Sequence, residues 1–284
     1  MKKVLILALA LILLLGIAAR GTFGLFSDTE TSSGNTFTAW VEVCDCYKFN
    51  VVDKSDAKIY KYNDSGTPVG SFDLSEDSGF PVGVATVGGD IYVIDHPDHK
   101  AYKYDCCGNL LDVSKVLRSV SGSGIGNPDG IAIYDTQMWV VSGNDKNIYR
   151  YSLDDAFPDD GSSLPADFEI GLDDKTARGL TINGTHIYIV AYSTSAKETT
   201  FYRYLHDGDS AKVSRVLLEY TSDNKLQSPA GAMFDGTSLW VVDSGTNKMY
   251  RYDNITNLFL DDGNPVNANW EFPLHPDNTD ATGV

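Results

Sequence analysis

From about residue 47 onward, hydrophobic positions fall in short runs separated by polar, glycine-bearing turns. Four runs are nearly all apolar and carry an aromatic at the same place: Ile91-Tyr-Val-Ile-Asp95, Met138-Trp-Val-Val-Ser142, Ile187-Tyr-Ile-Val-Ala191 and Leu239-Trp-Val-Val-Asp243. Asn50-Val-Val-Asp53 reads as the end of a fifth. Runs this short predict strands, and their apolar character predicts cover on both faces. After each comes a Tyr-x-Tyr segment: Tyr60/Tyr62, Tyr102/Tyr104, Tyr149/Tyr151, Tyr202/Tyr204 and Tyr250/Tyr252. Period 2 puts the two rings on one face and the residue between them on the other. A glycine in a small or proline-bearing setting recurs, before four of the runs at Pro81-Val-Gly83-Val, Pro128-Asp-Gly130-Ile, Ala177-Arg-Gly179-Leu and Pro229-Ala-Gly231-Ala, and once more at Ala281-Thr-Gly283-Val. Looser strands close the units, as at Val69–Leu74, Ala166–Ile170, Val213–Glu219 and Trp270–Leu274. Turn residues such as Gly88-Gly-Asp, Asn183-Gly-Thr and Asp235-Gly-Thr sit where strands must reverse.

Each unit is therefore expected to be a four-stranded antiparallel sheet. One such sheet cannot bury its faces alone, whereas a ring of them can. The pattern resembles the NHL/YVTN type of β-propeller over residues 47–284. The expected fold class is all-β, a propeller with about five blades visible. The period-2 strands exclude a helical solenoid and leave a β-sandwich as the alternative. Ala281–Val284 repeats the opening of a unit, so a sixth blade is expected to be interrupted there, as in a fragment of a longer repeat. The other reading lets this piece close the ring on blade 1, for which Trp40–Val43 is a further candidate first strand.

The N-terminus follows different rules. Lys2 and Lys3 precede an uninterrupted apolar run, Val4–Ala19, which at roughly 1.5 Å per residue falls short of a bilayer core of roughly 30 Å. A basic start, a short apolar stretch and small residues predict an export signal over residues 1–24. An uncleaved membrane anchor is the alternative, and the only membrane contact expected. The stretch Phe26-Ser-Asp-Thr-Glu with Asn35-Thr-Phe-Thr-Ala39 resembles the signal regions of the TasA/camelysin group of SipW-dependent secreted proteins. The resemblance implies a cut near Gly24 or Leu25 and leaves residues 25–46 as an N-terminal extension. Fibre formation is implied only by this signal region, because Trp40-Val-Glu-Val-Cys44 replaces the group's next strand pattern.

Charge narrows the partners. The chain carries −17, and losing Lys2, Lys3 and Arg20 leaves 19 basic against 39 acidic residues, a net −20. That excess argues against nucleic acid, whose binding needs clustered Lys and Arg. Four cysteines, Cys44, Cys46, Cys106 and Cys107, in an exported chain predict disulfides. Of three connectivities, the two cross-linked ones staple the N-terminal segment to the third turn of blade 2. A four-thiolate metal site is disfavoured because C-x-C with an adjacent pair lacks the usual spacing.

With strands labelled a to d from the first of each unit, the d–a and b–c loops share one rim. The a–b and c–d loops share the other. The sequons at Asn63, Asn183 and Asn254 all fall in a–b or c–d loops, so the expectation is one glycan-bearing rim and an opposite working rim. Candidate binding residues on the working rim are Asp95, His96, Asp98, His99, Asp129, Asp145, Arg178 and Asp243. His96 and His99 are the candidate metal ligands, for zinc or another transition ion, though no H-E-x-x-H helix surrounds them. Acidic pairs such as Asp154-Asp155, Asp159-Asp160, Asp173-Asp174 and Asp261-Asp262 lack the EF-type calcium pattern. No cofactor is expected, with calcium or zinc the reserve. No nucleophile motif or phosphate-cradling loop occurs. The expected function is a secreted or cell-surface module that binds an extracellular protein or glycan in adhesion, without catalysis. The alternatives are a divalent-ion-dependent lyase or lactonase of propeller type, and a subunit of an extracellular fibre. An enzyme would need several polar residues at the starts of the a strands, where only Asp129 and Arg178 qualify among Val82, Asp129, Arg178, Ala230 and Thr282.

Overall fold

Apolar runs flanked by tight turns fold here into small twisted sheets. The computed structural model describes residues 30–32, 35–37, 44–172, 177–184, 186–205, 214–221, 224–254, 259 and 265–284. The expected export signal and the Trp40–Val43 strand lie outside the described residues. The chain divides into two units, Met1–Asp45 and Cys46–Val284. In the first, β1 (Glu30–Ser32) pairs antiparallel with β2 (Asn35–Phe37).

The second unit is a five-bladed propeller. Blade 1 contains β3 (Phe49–Asp53), β4 (Lys58–Tyr62) and β5 (Pro68–Asp73). Blade 2 is β6 (Pro81–Val87), β7 (Asp90–Asp95), β8 (Ala101–Asp105) and β9 (Leu110–Val113). Next come β10 (Val116–Arg118) and then blade 3: β11 (Pro128–Tyr134), β12 (Gln137–Ser142), β13 (Asn147–Ser152), the short helix α1 (Leu153–Ala156), β14 (Ser163–Pro165) and β15 (Phe168–Gly171). Blade 4 is β16 (Ala177–Asn183), β17 (His186–Ser193), β18 (Glu198–Leu205) and β19 (Ser214–Thr221), followed by β20 (Asn224–Lys225). Blade 5 is β21 (Pro229–Phe234), β22 (Ser238–Asp243), β23 (Lys248–Asp253), β24 (Val266–Asn267) and β25 (Trp270–Pro273). The last strand, β26 (Ala281–Gly283), pairs antiparallel with β3 and is therefore the first strand of blade 1.

That pairing corrects the expectation of an interrupted sixth blade. Ala281 stands opposite Asp53 and Gly283 opposite Val52, so the terminal repeat closes the ring. The physical reason is that β3 begins blade 1 at its second strand and leaves an inner edge that only another strand can satisfy.

The core lies between blades. Trp139 and Trp240, both essentially fully buried, face the next blade, while the Tyr-x-Tyr rings face the preceding one. Both faces of each inner strand are thus covered, as the apolar runs required. Two features the pattern did not announce couple neighbouring blades further. β10 pairs parallel with β14, and β24 pairs parallel with β19. The Cys46–Cys106 disulfide joins the segment before β3 to the c–d turn of blade 2, with Cα atoms 5.0 Å apart. Among the described residues no cysteine is free, and a cross-link of the expected kind between the two cysteine pairs is present.

The repeated glycines meet on the axis. Every first strand has a register shift just before its glycine, at Pro81/Gly83, Pro128/Gly130, Ala177/Gly179, Pro229/Gly231 and Ala281/Gly283. The backbones then approach so closely that a Cβ on Gly231 would stand 2.7 Å from the Gly283 Cα, and one on Gly283 would stand 2.7 Å from the Gly83 Cα. Around this ring the axial space shrinks to about 10 Å³, room for one water at most.

Candidate functional site

The glycine ring is a floor, and what stands above it belongs to the d–a and b–c rim. The residues extruded by the five register shifts are those the sequence singled out: Val82, Asp129, Arg178, Ala230 and Thr282. Arg178 Nη1 lies 3.5 Å from Asp129 Oδ1, and Asp129 Oδ2 accepts the Gly143 amide at 2.7 Å. Burial pushes the Asp129 carboxyl up, against the opposing pull of Gly143, Arg178, His96 and Lys54. Lys54 Nζ sits 4.1 Å over the exposed Phe80 ring, which meets His96 edge-on at 5.8 Å. Asp129, Arg178 and His96 are therefore brought together at the axial mouth, joined by Lys54 and Phe80, which no sequence motif marked.

The other candidate rim residues are engaged in the fold. Asp95 is fully buried and accepts the Phe80 amide at 2.7 Å. Asp243, also fully buried, accepts the amides of Gln227 and Ser228 at 2.9 and 2.6 Å. Each braces the d–a loop that enters its own blade. Asp98 and Asp145 accept the hydroxyls of Tyr102 (2.6 Å) and Tyr149 (2.9 Å), the first tyrosines of their pairs. His99 has φ 56°, matching Ala57, Lys146, Lys197 and Asn247 at the same turn of the other blades. Its local role is to turn the chain, and its carbonyl accepts the Leu117 amide at 2.9 Å. Among the described residues, no group of three or more His, Cys, Asp or Glu is arranged to hold a metal ion. Of the acidic pairs, Asp159 and Asp160 bind Lys100 and Lys115, Asp154 and Asp155 start α1, and Asp173-Asp174 and Asp261-Asp262 lie outside the described residues.

A groove of about 680 Å³ runs along the outer edge of blade 2, from the d–a and b–c loops down β9 towards the c–d turn. Its walls carry Asp77 from a d–a loop, Asp98 and Lys100 from a b–c loop, and Leu110, Leu111 and Asp112 from β9. Asp159 reaches in from blade 3 and pairs with Lys100. Leu110 and Leu111 are 42% and 51% exposed, although β9 is an edge strand where such residues are ordinarily replaced by charge. The pairing of Lys100 with Asp159 leaves the carboxylates of Asp77, Asp98 and Asp112 to set the groove's sign. Sequence reasoning missed these residues. The available signal was two consecutive leucines in a fourth strand, which period 2 cannot bury together.

The three sequon asparagines lie where topology put them: Asn63 and Asn254 in c–d turns and Asn183 at the end of β16. All are on the rim opposite the groove's loops.

No protein-family model and no curated protein matches this chain. Among solved structures it is similar to one described as a nidogen/laminin complex, at 13% identity and a TM-score of 0.50, over 82% of this chain and 95% of that one. It is also similar to a streptogramin B lyase (17% identity, TM-score 0.42, 81% of this chain and 66% of that one). A third is a virginiamycin B lyase from Staphylococcus aureus (15% identity, TM-score 0.45, 82% and 72%). At such identities the likeness is one of fold. The class is that of five-bladed β-propellers, closed by the pairing of the last strand with the first blade. Among the described residues no helix is long and apolar enough to cross a membrane, and the disulfides suit an oxidising compartment.

Proposed function

We propose that this propeller is a secreted or cell-surface binding module that engages an extracellular protein through the d–a and b–c rim, without catalysis. The observation that carries the reading is the blade 2 groove, where an exposed leucine pair is ringed by carboxylates. Exposed apolar surface with a polar border is the ordinary signature of a protein contact. The acidic border selects a partner segment that carries basic side chains, and the mature chain's charge speeds encounter with it. The signal region of the TasA/camelysin kind supports the export route, and the three sequons on the far rim support a glycan-bearing side turned away from the partner. The NHL type is the nearest description of the repeat.

The test is adhesion of the labelled, purified protein to the cells that produce it. The double variant Leu110→Asp with Leu111→Asp should weaken binding about tenfold, the usual cost of losing a central apolar contact. Asn63→Gln on the opposite rim should leave binding unchanged. Binding that survives the leucine changes overturns the reading.

A further inference from the structure

We propose that the axial mouth above the glycine ring binds an acidic sugar, a uronic-acid residue whose carboxylate meets Lys54, His96 and Arg178 while Asp129 accepts one of its hydroxyls. Four blades build the site. Lys54 and His96 each follow the buried aspartate that ends the second strand of blade 1 and of blade 2. Asp129 and Arg178 stand at the register shifts in the first strands of blades 3 and 4. Asp129 lies in the field of all three basic side chains, so they surround one carboxylate rather than scatter along the rim. Lys54 and Arg178 are permanently charged and outnumber it, in a chain whose net charge is −17. A locally positive mouth on an acidic protein concentrates anions there.

The donors at this mouth are not spent on the protein. Among the described residues, the Lys54 ammonium has no carboxylate partner and lies 4.1 Å over the Phe80 ring. The His96 imidazole meets Phe80 edge-on at 5.8 Å, while its backbone amide donates to the Phe80 carbonyl. Arg178 approaches Asp129 through Nη1 at 3.5 Å, longer than the roughly 2.7–2.9 Å of a charge-assisted hydrogen bond. A guanidinium carries five N–H donors, so most of that capacity is left for a ligand.

The remaining groups select the kind of anion. Asp129 Oδ2 accepts the Gly143 amide, but Oδ1 has only the long Arg178 contact. An ionised carboxylate only accepts, so Oδ1 calls for a donor, and a hydroxyl beside the ligand's acid group supplies one. Phe80 is 42% exposed and offers an apolar surface to the C–H face of a pyranose ring. Carboxylate, hydroxyls and an apolar face occur together in a uronic acid. The glycine ring leaves about 10 Å³ on the axis, so the sugar lies across the mouth and does not enter the channel. The site shares no residue with the leucine groove, and the two readings stand or fall separately.

The probe is D-glucuronic acid, titrated into the full chain and followed by ligand-observed NMR, with D-glucose and acetate as comparison ligands. Saturable binding of glucuronate is expected, with a Kd of about 1 mM. Glucose and acetate should each bind about tenfold more weakly or worse, since each lacks one half of the match. Arg178→Gln and Lys54→Met should each weaken glucuronate binding about tenfold, as for a lost hydrogen bond to a charged group. Thermal melts near the parental temperature confirm that the variants fold. Raising salt from about 0.01 to 0.1 M should weaken binding to the parent chain itself, a readout that needs no variant. Leu110→Asp with Leu111→Asp should leave glucuronate binding unchanged. Absence of saturable binding overturns the proposal. So does equal binding of glucose or acetate, binding indifferent to salt, binding that survives both basic-residue changes, or binding lost in a folded leucine variant.

Discussion

Asp95 ends β7 fully buried, with one oxygen on the Phe80 amide and the Asp98 carboxylate nearby. Burial is the largest influence on its carboxyl, which is pushed up to about 6, with Asp98 adding to the rise and the Phe80 amide opposing it. A carboxyl whose folded pKa exceeds its unfolded value holds its proton more tightly when folded. Its contribution to stability is therefore greatest at low pH and is lost as pH rises from about 4 through 6, amounting to at most about 3 kcal/mol. Asp95→Asn removes that dependence. Urea unfolding should show the variant gaining on the parent between pH 4 and pH 7. A difference that does not vary with pH would disprove the assignment. Asp95 was legible in the sequence as a polar rim residue. Its burial was not, because a carboxylate that braces a loop and one that meets a ligand stand in the same kind of turn.

The Tyr-x-Tyr strands show what an element adds to a motif. The period placed both rings on one face, and the structure has both rings buried. What the period could not supply is the partner of the second hydroxyl. Tyr62 accepts the His275 amide at 2.9 Å and Tyr104 the Ser75 amide at 3.0 Å. Tyr151 and Tyr252 donate to the carbonyls of Arg118 and Glu219, at 3.0 and 3.1 Å. In each case the third strand of a blade is tied to the outer segment of the preceding one. Tyr151→Phe keeps the packing and removes only the hydroxyl, so it should cost about 1 kcal/mol in chemical denaturation. A loss below a few tenths would mean the bond is replaced by water. The parallel pairs β10–β14 and β19–β24 were invisible beforehand. Val116–Arg118 and Ser163–Pro165 carry no repeating pattern, and they meet only because adjacent blades bring them side by side.

At the scale of the whole ring, five glycines separated by 47 to 52 residues become backbone neighbours on one axis. Gly231→Ala would place a methyl 2.7 Å from both the Gly283 Cα and the Val284 amide nitrogen. Backbone cannot yield as a flexible side chain can, so the substitution should destabilise by roughly 3 kcal/mol. Gly70→Ala, with nothing within 4 Å of the added atom, is the control and should be close to neutral. Thermal melts of the two variants measure the contrast, and similar melting temperatures would refute the axial packing.

The sequence by itself determined the all-β class, the strand order within each blade and the rim to which each loop belongs. These follow from local periodicity, turn residues and spacing, which any short window of the chain contains. Tertiary structure alone decided that Ala281–Gly283 completes blade 1, that Asp95 and Asp243 are buried braces, and that Leu110 and Leu111 lie open in a groove. It also gathered Lys54, His96, Asp129 and Arg178 from four blades at the axial mouth. Each depends on which distant segments come to lie against a residue. Ring closure sets those neighbours, and no local pattern encodes them.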